Sequence, residues 1–283
     1  MSILDVIQRS AEFLAKRGVS SPRLQVELLL AHVLKMERMK LYLNFSRPLS
    51  EAELNQLRAL VQRRGHREPL QYIIGSTSFC GIDMALDPSV LIPRPETELL
   101  AERAWTFLNG LGNTPVALDL GTGSGCLAIA LALKAPRAKI HAVDVSANAL
   151  ALARQNAARH GANIEFHEGD FFHAAPPGLR CDLIVSNPPY IPSARIQTLE
   201  AEVRDYEPPT ALDGGADGQD FYRQIAAQAG AFLQPTGRIM LELDEEGAEA
   251  TREIFSGEKW AVEALEKDYN QLPRILVAHL TSS

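Results

Sequence analysis

Cysteine is scarce in this chain: Cys80, Cys126 and Cys181 are the only three in 283 residues. They are scattered, odd in number and set among apolar neighbours, with no Cys-x-x-Cys pair or His/Cys cluster. That excludes a disulfide scaffold and a zinc-ribbon site, no metal centre is expected, and reduced core thiols fit best. Long hydrophobic runs are also missing. The longest, 127–133, falls far short of the roughly 18 residues of a spanning helix. Met1-Ser2-Ile3-Leu4-Asp5 meets an acid before any apolar run develops, unlike an export signal. A cytoplasmic protein away from membranes is therefore expected. A basic excess is absent too: 28 Lys and Arg stand against 35 Asp and Glu, a formal charge of −7. That argues against a protein that holds nucleic acid mainly by neutralising phosphates. What is present is 46% apolar and 22% charged residues, enough for a sizeable core. At roughly 150 residues per domain the length fits about two domains.

The first third has helical periodicity. Ile3, Ile7, Ala11 and Leu14 form one apolar stripe that ends at Gly18. Ser21-Pro22 predicts an N-cap and a first-turn proline, opening a helix through Leu24, Leu28, Leu29 and Val33. Ser50 with Glu53 three residues on is a capping box, followed by Leu54, Leu57, Leu60 and Val61 until Gly65. Core packing explains these stripes, which carry no chemistry of their own. After Pro69 the texture changes: residues 70–75 and 82–86 flank Gly75 and Gly81, which predicts a β-hairpin. Leu91-Ile92-Pro93-Arg94-Pro95 must be extended, because each proline disfavours helix at the residue before it. A helix over 96–108 comes next.

Beyond Thr114 strands and helices alternate. Short apolar strands are predicted at 116–120, 140–145, 164–167 and 183–186, with helices at 126–134 and 147–160. A helix over 219–233 then precedes a strand at 238–243, and two further strands at 260–266 and 275–280 meet through a turn. The expected fold class is α/β: a mostly parallel sheet, helices on both faces, and an antiparallel strand near the C-terminus. The expected organisation is a helical domain over 1–67, a β-hairpin linker over 68–90, and a catalytic domain over 91–283.

Four motifs carry the chemistry. Asp119-Leu120-Gly121-Thr122-Gly123-Ser124-Gly125 lies between a strand and a helix, where glycines allow close approach of a ligand and the helix start presents free N–H groups. Alone, this loop is shared by nicotinamide, flavin and adenosylmethionine binders. Asp144 ends the next strand, about 20 residues on, where a ribose diol is gripped. Gly169-Asp170-Phe171 comes after the third strand; an acid there reads an adenine amino group and Phe171 covers the ring, although Phe171 and Phe172 equally fit a core. Ser186-Asn187-Pro188-Pro189-Tyr190 stands at the end of the fourth strand, the edge where open α/β sheets bind ligands. Two prolines lock an extended turn, and the Asn187 side-chain carbonyl beside the Pro188 backbone carbonyl makes two acceptors for a planar –NH2 group. Tyr190 offers a flat face for stacking. An amide or aromatic-amine nitrogen is a poor nucleophile, so acceptors that orient it and stabilise its growing positive charge suit methyl transfer from a sulfonium.

The glycine loop together with Asn187-Pro188-Pro189-Tyr190 resembles class I adenosylmethionine-dependent methyltransferases, which have a Rossmann-like sheet. More narrowly, Pro69 to Gly75, Leu91-Ile92-Pro93-Arg94-Pro95-Glu96-Thr97-Glu98, Tyr206-Glu207-Pro208 and Gly214-Gly215-Ala216-Asp217-Gly218 resemble the glutamine methyltransferases of peptide chain release factors. The resemblance implies that Gly121, Thr122, Gly123, Ser124, Gly125, Asp144, Phe171 and Asn187 contact S-adenosyl-L-methionine, which leaves as S-adenosyl-L-homocysteine. It implies that Asn187, Pro188 and Tyr190 act catalytically and that these three with Pro189 bind the substrate glutamine. That glutamine belongs to the Gly-Gly-Gln motif of class I release factors, held partly by the helical domain. The segment 94–98 is expected to shape the cleft without a chemical step at Arg94 or Glu96. A monomer that binds no nucleic acid directly is expected. Asp244, where many relatives carry glycine, and the Pro273-containing turn depart from the family pattern and affect local loop shape. The closest rival is a nucleic-acid amino methyltransferase, disfavoured by the acidic charge and the lack of an inserted target-reading region. A nicotinamide-dependent oxidoreductase would leave Asn187 to Tyr190 without a role, and a non-catalytic adaptor would be expected to have lost them.

Overall fold

A computed structural model describes residues 1–281. The chain divides into two compact units, 1–76 with 200–206, and 77–199 with 207–283.

The first unit is helical: α1 (Ile3–Lys16), α2 (Pro22–Leu34), α3 (Arg38–Tyr42), α4 (Glu51–Gly65) and α5 (Leu70–Ile74). Capping boxes open α1 (Ser2 with Asp5) and α4 (Ser50 with Glu53), satisfying N–H groups that the helix leaves orphaned. Ile3, Ile7, Leu14, Val26, Leu29, Leu30, Leu41 and Leu57 form its core. One sequence expectation holds only in part here and two fail. Ser21 occupies the cap position of α2 but is left-handed (φ 45°) and its side chain caps nothing. The inward face of α2 runs through Val26, Leu29 and Leu30, and Leu24 is exposed, because apolar residues cover most of this helix and their spacing does not single out one stripe. Residues 70–74 form helix α5 instead of a strand, stopped by left-handed Gly75 (φ 80°), whose N–H returns to the Gln71 carbonyl. Four apolar residues and Gln71 are too short a run to tell one period from the other.

Two buried charges tie the helices together. Glu27 accepts hydrogen bonds from Arg23, Arg38 and Tyr42. Arg64, only 3% exposed, donates to Gln25, to the Glu68 carbonyl and to Glu202, which Arg67 also grips.

A hairpin, β1 (Ser76–Phe79) and β2 (Ile82–Ala85), follows, all but its first residue in the second unit, turned by Cys80 and Gly81, both at positive φ. Then come α6 (Pro95–Gly110), β3 (Val116–Leu120), α7 (Cys126–Lys134), β4 (Lys139–Asp144), α8 (Ala147–His160), β5 (Ile164–Glu168) and β6 (Cys181–Ser186). Helix α9 (Ala201–Tyr206) belongs to the first unit; α10 (Asp220–Gln228), β7 (Leu233–Glu242), α11 (Ala248–Ile254), β8 (Trp260–Lys267) and β9 (Pro273–Leu280) complete the second. The sheet order is β5-β4-β3-β6-β7-β9-β8, with β9 antiparallel to both neighbours and the other pairings parallel. Alternation along β3 sends Ala117 to a core shared with α6 and α7, and Leu118 and Leu120 to a core shared with α10 and α11. The helix expected over 219–233 stops at Gln228, and β7 begins at Leu233. Pro235 and Gly237, which look like a break, sit in an irregularity where pairing jumps from Leu233 to Arg238. Among the described residues, no helix is long and apolar enough to cross a membrane.

Burial pushes the Glu202 carboxyl up, but the hydrogen bonds from Arg67 and Arg64 outweigh it and its pKa ends below the ordinary glutamate value. A lowered folded-state pKa means stability present above about pH 4.5 and lost as pH falls through the lowered value. Glu202→Gln should cost about 2–3 kcal/mol, at or below the low end for stripping one partner from a buried ion pair, since Gln25 and Glu68 still hold Arg64. Urea unfolding at neutral pH and near pH 3 checks this, the difference between the two proteins shrinking in acid.

Candidate active site

Strand β3 lies where the connections reverse direction: β4 and β5 extend to one side of it, β6 and β7 to the other. Ligands of open α/β sheets bind at the carboxyl ends around such a point. Here Leu120 pairs with Ser186, and the Ser186 hydroxyl donates to the Leu120 carbonyl at 2.7 Å, wholly buried. The next residues of the two strands, Gly121 and Asn187, therefore leave side by side, and both line one cleft of about 620 Å³.

The wall of that cleft includes Gly121, Thr122, Gly123, Ser124, Asp144, Phe171, Asn187 and Pro189. A Cβ at Gly121 or Gly123 would meet nothing within 4 Å, so open space lies above this stretch of backbone. Gly125, expected in the same loop, is turned the other way: a Cβ there would lie only 3.1 Å from the Ala153 Cβ of α8, so the helix packs where a side chain would stand. Asp144 is fixed through both oxygens, by the Gly123 N–H at 2.8 Å and the Ser146 N–H at 2.9 Å. Each oxygen keeps lone-pair capacity for a further donor. The Ser124 hydroxyl is buried without a hydrogen-bond partner. Beneath the loop Asp119 is fully buried and accepts the Thr122 hydroxyl at 2.7 Å. Burial pushes its carboxyl up to about 7, against the pull of that hydroxyl.

The two phenylalanines after β5 separate. Phe172 is buried against Phe232, whereas Phe171, at φ 42°, stacks on Phe221 on the cleft wall. The Asn-Pro-Pro-Tyr turn also divides. Asn187 and Pro189 face the cleft; Pro188 is buried and Tyr190 packs against the α10 core, neither on this wall. The segment 212–215 supports the turn, with Ile191 N–H on the Leu212 carbonyl and Gly214 N–H on the Ile191 carbonyl. A Cβ at Gly214 would lie 2.8 Å from the Tyr190 Cα, and one at Gly218 (φ +76°) would overlap the Tyr190 carbonyl oxygen.

Several residues escaped the motif reading. Thr97 lines the cleft, accepts the Asn187 Nδ2 amide at 3.1 Å and donates to Glu242 at 2.6 Å. Glu242 is 1% exposed at the end of β7, and burial pushes it up to about 7. Asn156 of α8 bridges the hairpin and the glycine loop, bonding both polar groups of Ala85 and the Ser124 carbonyl. No local pattern marks Asn156 or Glu242; Thr97 lay inside the segment expected to shape the cleft. Arg94 of that segment pairs with buried Glu207 at 2.5 Å, joining the two motifs that the resemblance singled out. A cluster of His141, Glu165 and His167 lies on one face of β4 and β5. Its imidazoles are joined nitrogen to nitrogen at 3.1 Å with centroids 5.4 Å apart, the separation of two rings bonded end to end, so the N–H of one ring points at the lone pair of the other and the two lone pairs do not converge on a shared ion.

A glycine loop, a strand-end carboxylate and an Asn-Pro-Pro turn meeting at the reversal of a sheet with one antiparallel strand define a Rossmann-like methyltransferase. A structure titled methyltransferase from Pyrococcus furiosus shares the fold, with a TM-score of 0.53 and 20% identity over 80% of this chain and 98% of that one. Residues 5–75 match the PrmC N-terminal domain and residues 98–202 the methyltransferase small domain. The release factor glutamine methyltransferase of Geobacter sulfurreducens is 48% identical over 90% of this chain and 88% of its own length. That of Chlorobaculum tepidum is 43% identical over 96% and 95%. The chain belongs to the release factor glutamine methyltransferase family.

Gly218→Ala should displace the turn that carries Asn187, since the new methyl meets backbone and not a movable side chain. A loss of about 2–4 kcal/mol is expected from strain at a positive φ combined with the overlap, read by thermal and urea unfolding. Ala216→Gly, at an exposed position of the same segment, serves as the comparison with little effect.

Proposed function

We propose that this protein methylates the side-chain amide nitrogen of the glutamine in the Gly-Gly-Gln motif of class I peptide chain release factors, with S-adenosyl-L-methionine as donor. The observation that carries the reading is the shared wall: the Asn187 amide opens on the same cleft as Gly121, Gly123 and Asp144. Family membership at 48% identity over most of both chains supports the substrate class.

The residues present fit the donor. The backbone at Gly121 and Gly123 leaves room for a ligand, Asp144 keeps acceptor capacity for a ribose diol, Phe171 offers a ring face, and the Ser124 hydroxyl lacks a partner. When bound, S-adenosyl-L-methionine supplies a methyl already activated on a sulfonium, and a neutral thioether departs. Asp144 holds the ribose hydroxyls, and Asp170 with Phe171 reads and covers the adenine. The Asn187 side-chain carbonyl and the Pro188 backbone carbonyl accept the two N–H bonds of the glutamine amide. Both acceptors orient the nitrogen and stabilise the positive charge it gains, the kind of preorganised electrostatics that dominates many barriers. Tyr190 stacks on the amide plane. Pro188 and Tyr190 lie off the wall of the donor cleft, so the glutamine approaches the turn from outside that cleft and meets the donor at Asn187, the residue of the turn that opens on it. The first helical unit holds the release factor, and Met39 and Leu43, 64% and 85% exposed at the two ends of one helical turn, supply apolar surface for it.

Mass spectrometry of a release factor incubated with protein and donor should find one added methyl, on the glutamine of Gly-Gly-Gln; methyl groups found only on added nucleic acid would overturn the reading. Asn187→Ala should keep donor affinity within a few-fold and cut turnover by at least roughly 100-fold, the scale for removing a preorganised polar group. Asp144→Ala should weaken donor binding by about 1–3 kcal/mol, the loss of charge-assisted hydrogen bonds, measured by calorimetric titration.

A further inference from the structure

An asparagine amide can face a cleft with either end, and only one end accepts a hydrogen bond. The neighbours of Asn187 decide which. Glu242 Oε2 stands 2.6 Å from the Thr97 hydroxyl, and an ionised carboxylate has no proton to give, so the single Thr97 proton goes to Glu242. Thr97 Oγ1 is then left as an acceptor toward Asn187. The Asn187 atom 3.1 Å away must be the donor, Nδ2. Its carbonyl is thereby freed for another partner.

We propose that Glu242 and Thr97 are positioning residues that set the Asn187 amide with its oxygen available to the acceptor nitrogen, so that the ionisation of Glu242 switches the site on. The proposal rests on the glutamine-methylating function argued above. Once Glu242 is protonated, its O–H donates to Thr97 Oγ1 and the Thr97 proton is released toward Asn187. The amide then turns over to accept that proton, and its N–H2 end meets the N–H2 of the glutamine. Two donors face each other. Proton addition to one buried carboxyl thus removes the acceptor on which the proposed chemistry depends.

The surroundings place this titration in a useful range. Burial pushes Glu242 up to about 7, opposed by the Thr97 hydroxyl. Of the charged groups, Arg274 on β9 and Arg94 before α6 favour the carboxylate, and Glu96 on α6 opposes it. Tyr222 of α10 donates to the Glu242 backbone carbonyl at 2.8 Å, and Tyr190 lies close enough for the Glu242 charge to act on its phenol. Activity should therefore rise with pH as Glu242 loses its proton.

Two sets of measurements test this, on full-length protein and intact release factor. Turnover and KM across pH 5.5–9 are compared for wild type, Thr97→Val, Thr97→Ser and Glu242→Gln, with unfolding curves confirming that each is folded. Wild type should show an acid limb near pH 7. Glu242→Gln should lack that limb whatever its plateau. Thr97→Val should lose turnover by about tenfold or more with KM for the release factor little changed, the cost of one lost orienting hydrogen bond, and Thr97→Ser should restore it. In the free protein, the side-chain amide resonance of Asn187, assigned with Asn187→Ala, should shift with pH in wild type and stay fixed in Glu242→Gln. An acid limb that survives in Glu242→Gln, a Thr97→Val enzyme within about twofold of wild type, or an Asn187 signal indifferent to pH would overturn the proposal. If release factor is not methylated at all, the function assigned above fails, and the resonance measurement still decides the positioning.

Discussion

The arrangement depends on one strand pairing. Leu120 and Ser186 lie opposite each other at the last step of the β3–β6 ladder, with the Ser186 hydroxyl on the Leu120 carbonyl. Parallel neighbours run roughly 4.8 Å apart, so the segments that leave the two strand ends start within reach of each other. The glycine loop leaves one strand there and the Asn-Pro-Pro turn leaves the other. The hydroxyl satisfies a carbonyl at the very point where the ladder runs out, and an unpaired buried carbonyl there would be costly.

Around that pairing the same device appears twice. Asp119 is the next-to-last residue of β3 and accepts the hydroxyl of Thr122, in the glycine loop; Glu242 ends β7 and accepts the hydroxyl of Thr97, at the start of α6. In both cases a buried carboxylate at or next to a strand end accepts the hydrogen bond of a threonine hydroxyl and leaves the threonine oxygen free to accept in turn. Burial raises both carboxyls to about 7, because a charge without water is disfavoured unless hydrogen bonds replace the lost solvation. Methyl transfer to an amide asks for directional acceptors more than for a strong base, and a frame of buried carboxyls with their hydroxyl donors holds direction well.

Much of this was legible locally. The strand of 116–120 and the helices of 126–134 and 147–160 appear where apolar spacing puts them, since a run enclosed by glycines and a clear period leaves little choice. The capping box at Ser50 and Glu53 forms because its hydrogen bonds span only three residues. Where local signals tie, the reading failed: residues 70–74 carry too few side chains to separate a period of two from one of 3.6, and Pro235 with Gly237 look alike whether they end a strand or bend it. Of the phenylalanines at 171 and 172, both apolar and adjacent, only packing could say that the second is core and the first is not.

By itself the sequence determined the order of elements, the glycine loop and the Asn-Pro-Pro-Tyr turn with the chemistry these residue types allow, because each depends on neighbours a few positions away. Only the tertiary structure decided that Thr97 and Glu242, 145 residues apart, hold Asn187, that Asn156 reaches both Ala85 and Ser124, and that Gly125 packs against a helix while Gly121 and Gly123 line the cleft. A hydrogen bond between distant residues leaves no period or spacing in the chain. It exists once the sheet has brought its strand ends together, and which end of an amide faces a cleft is settled only by the atoms behind it.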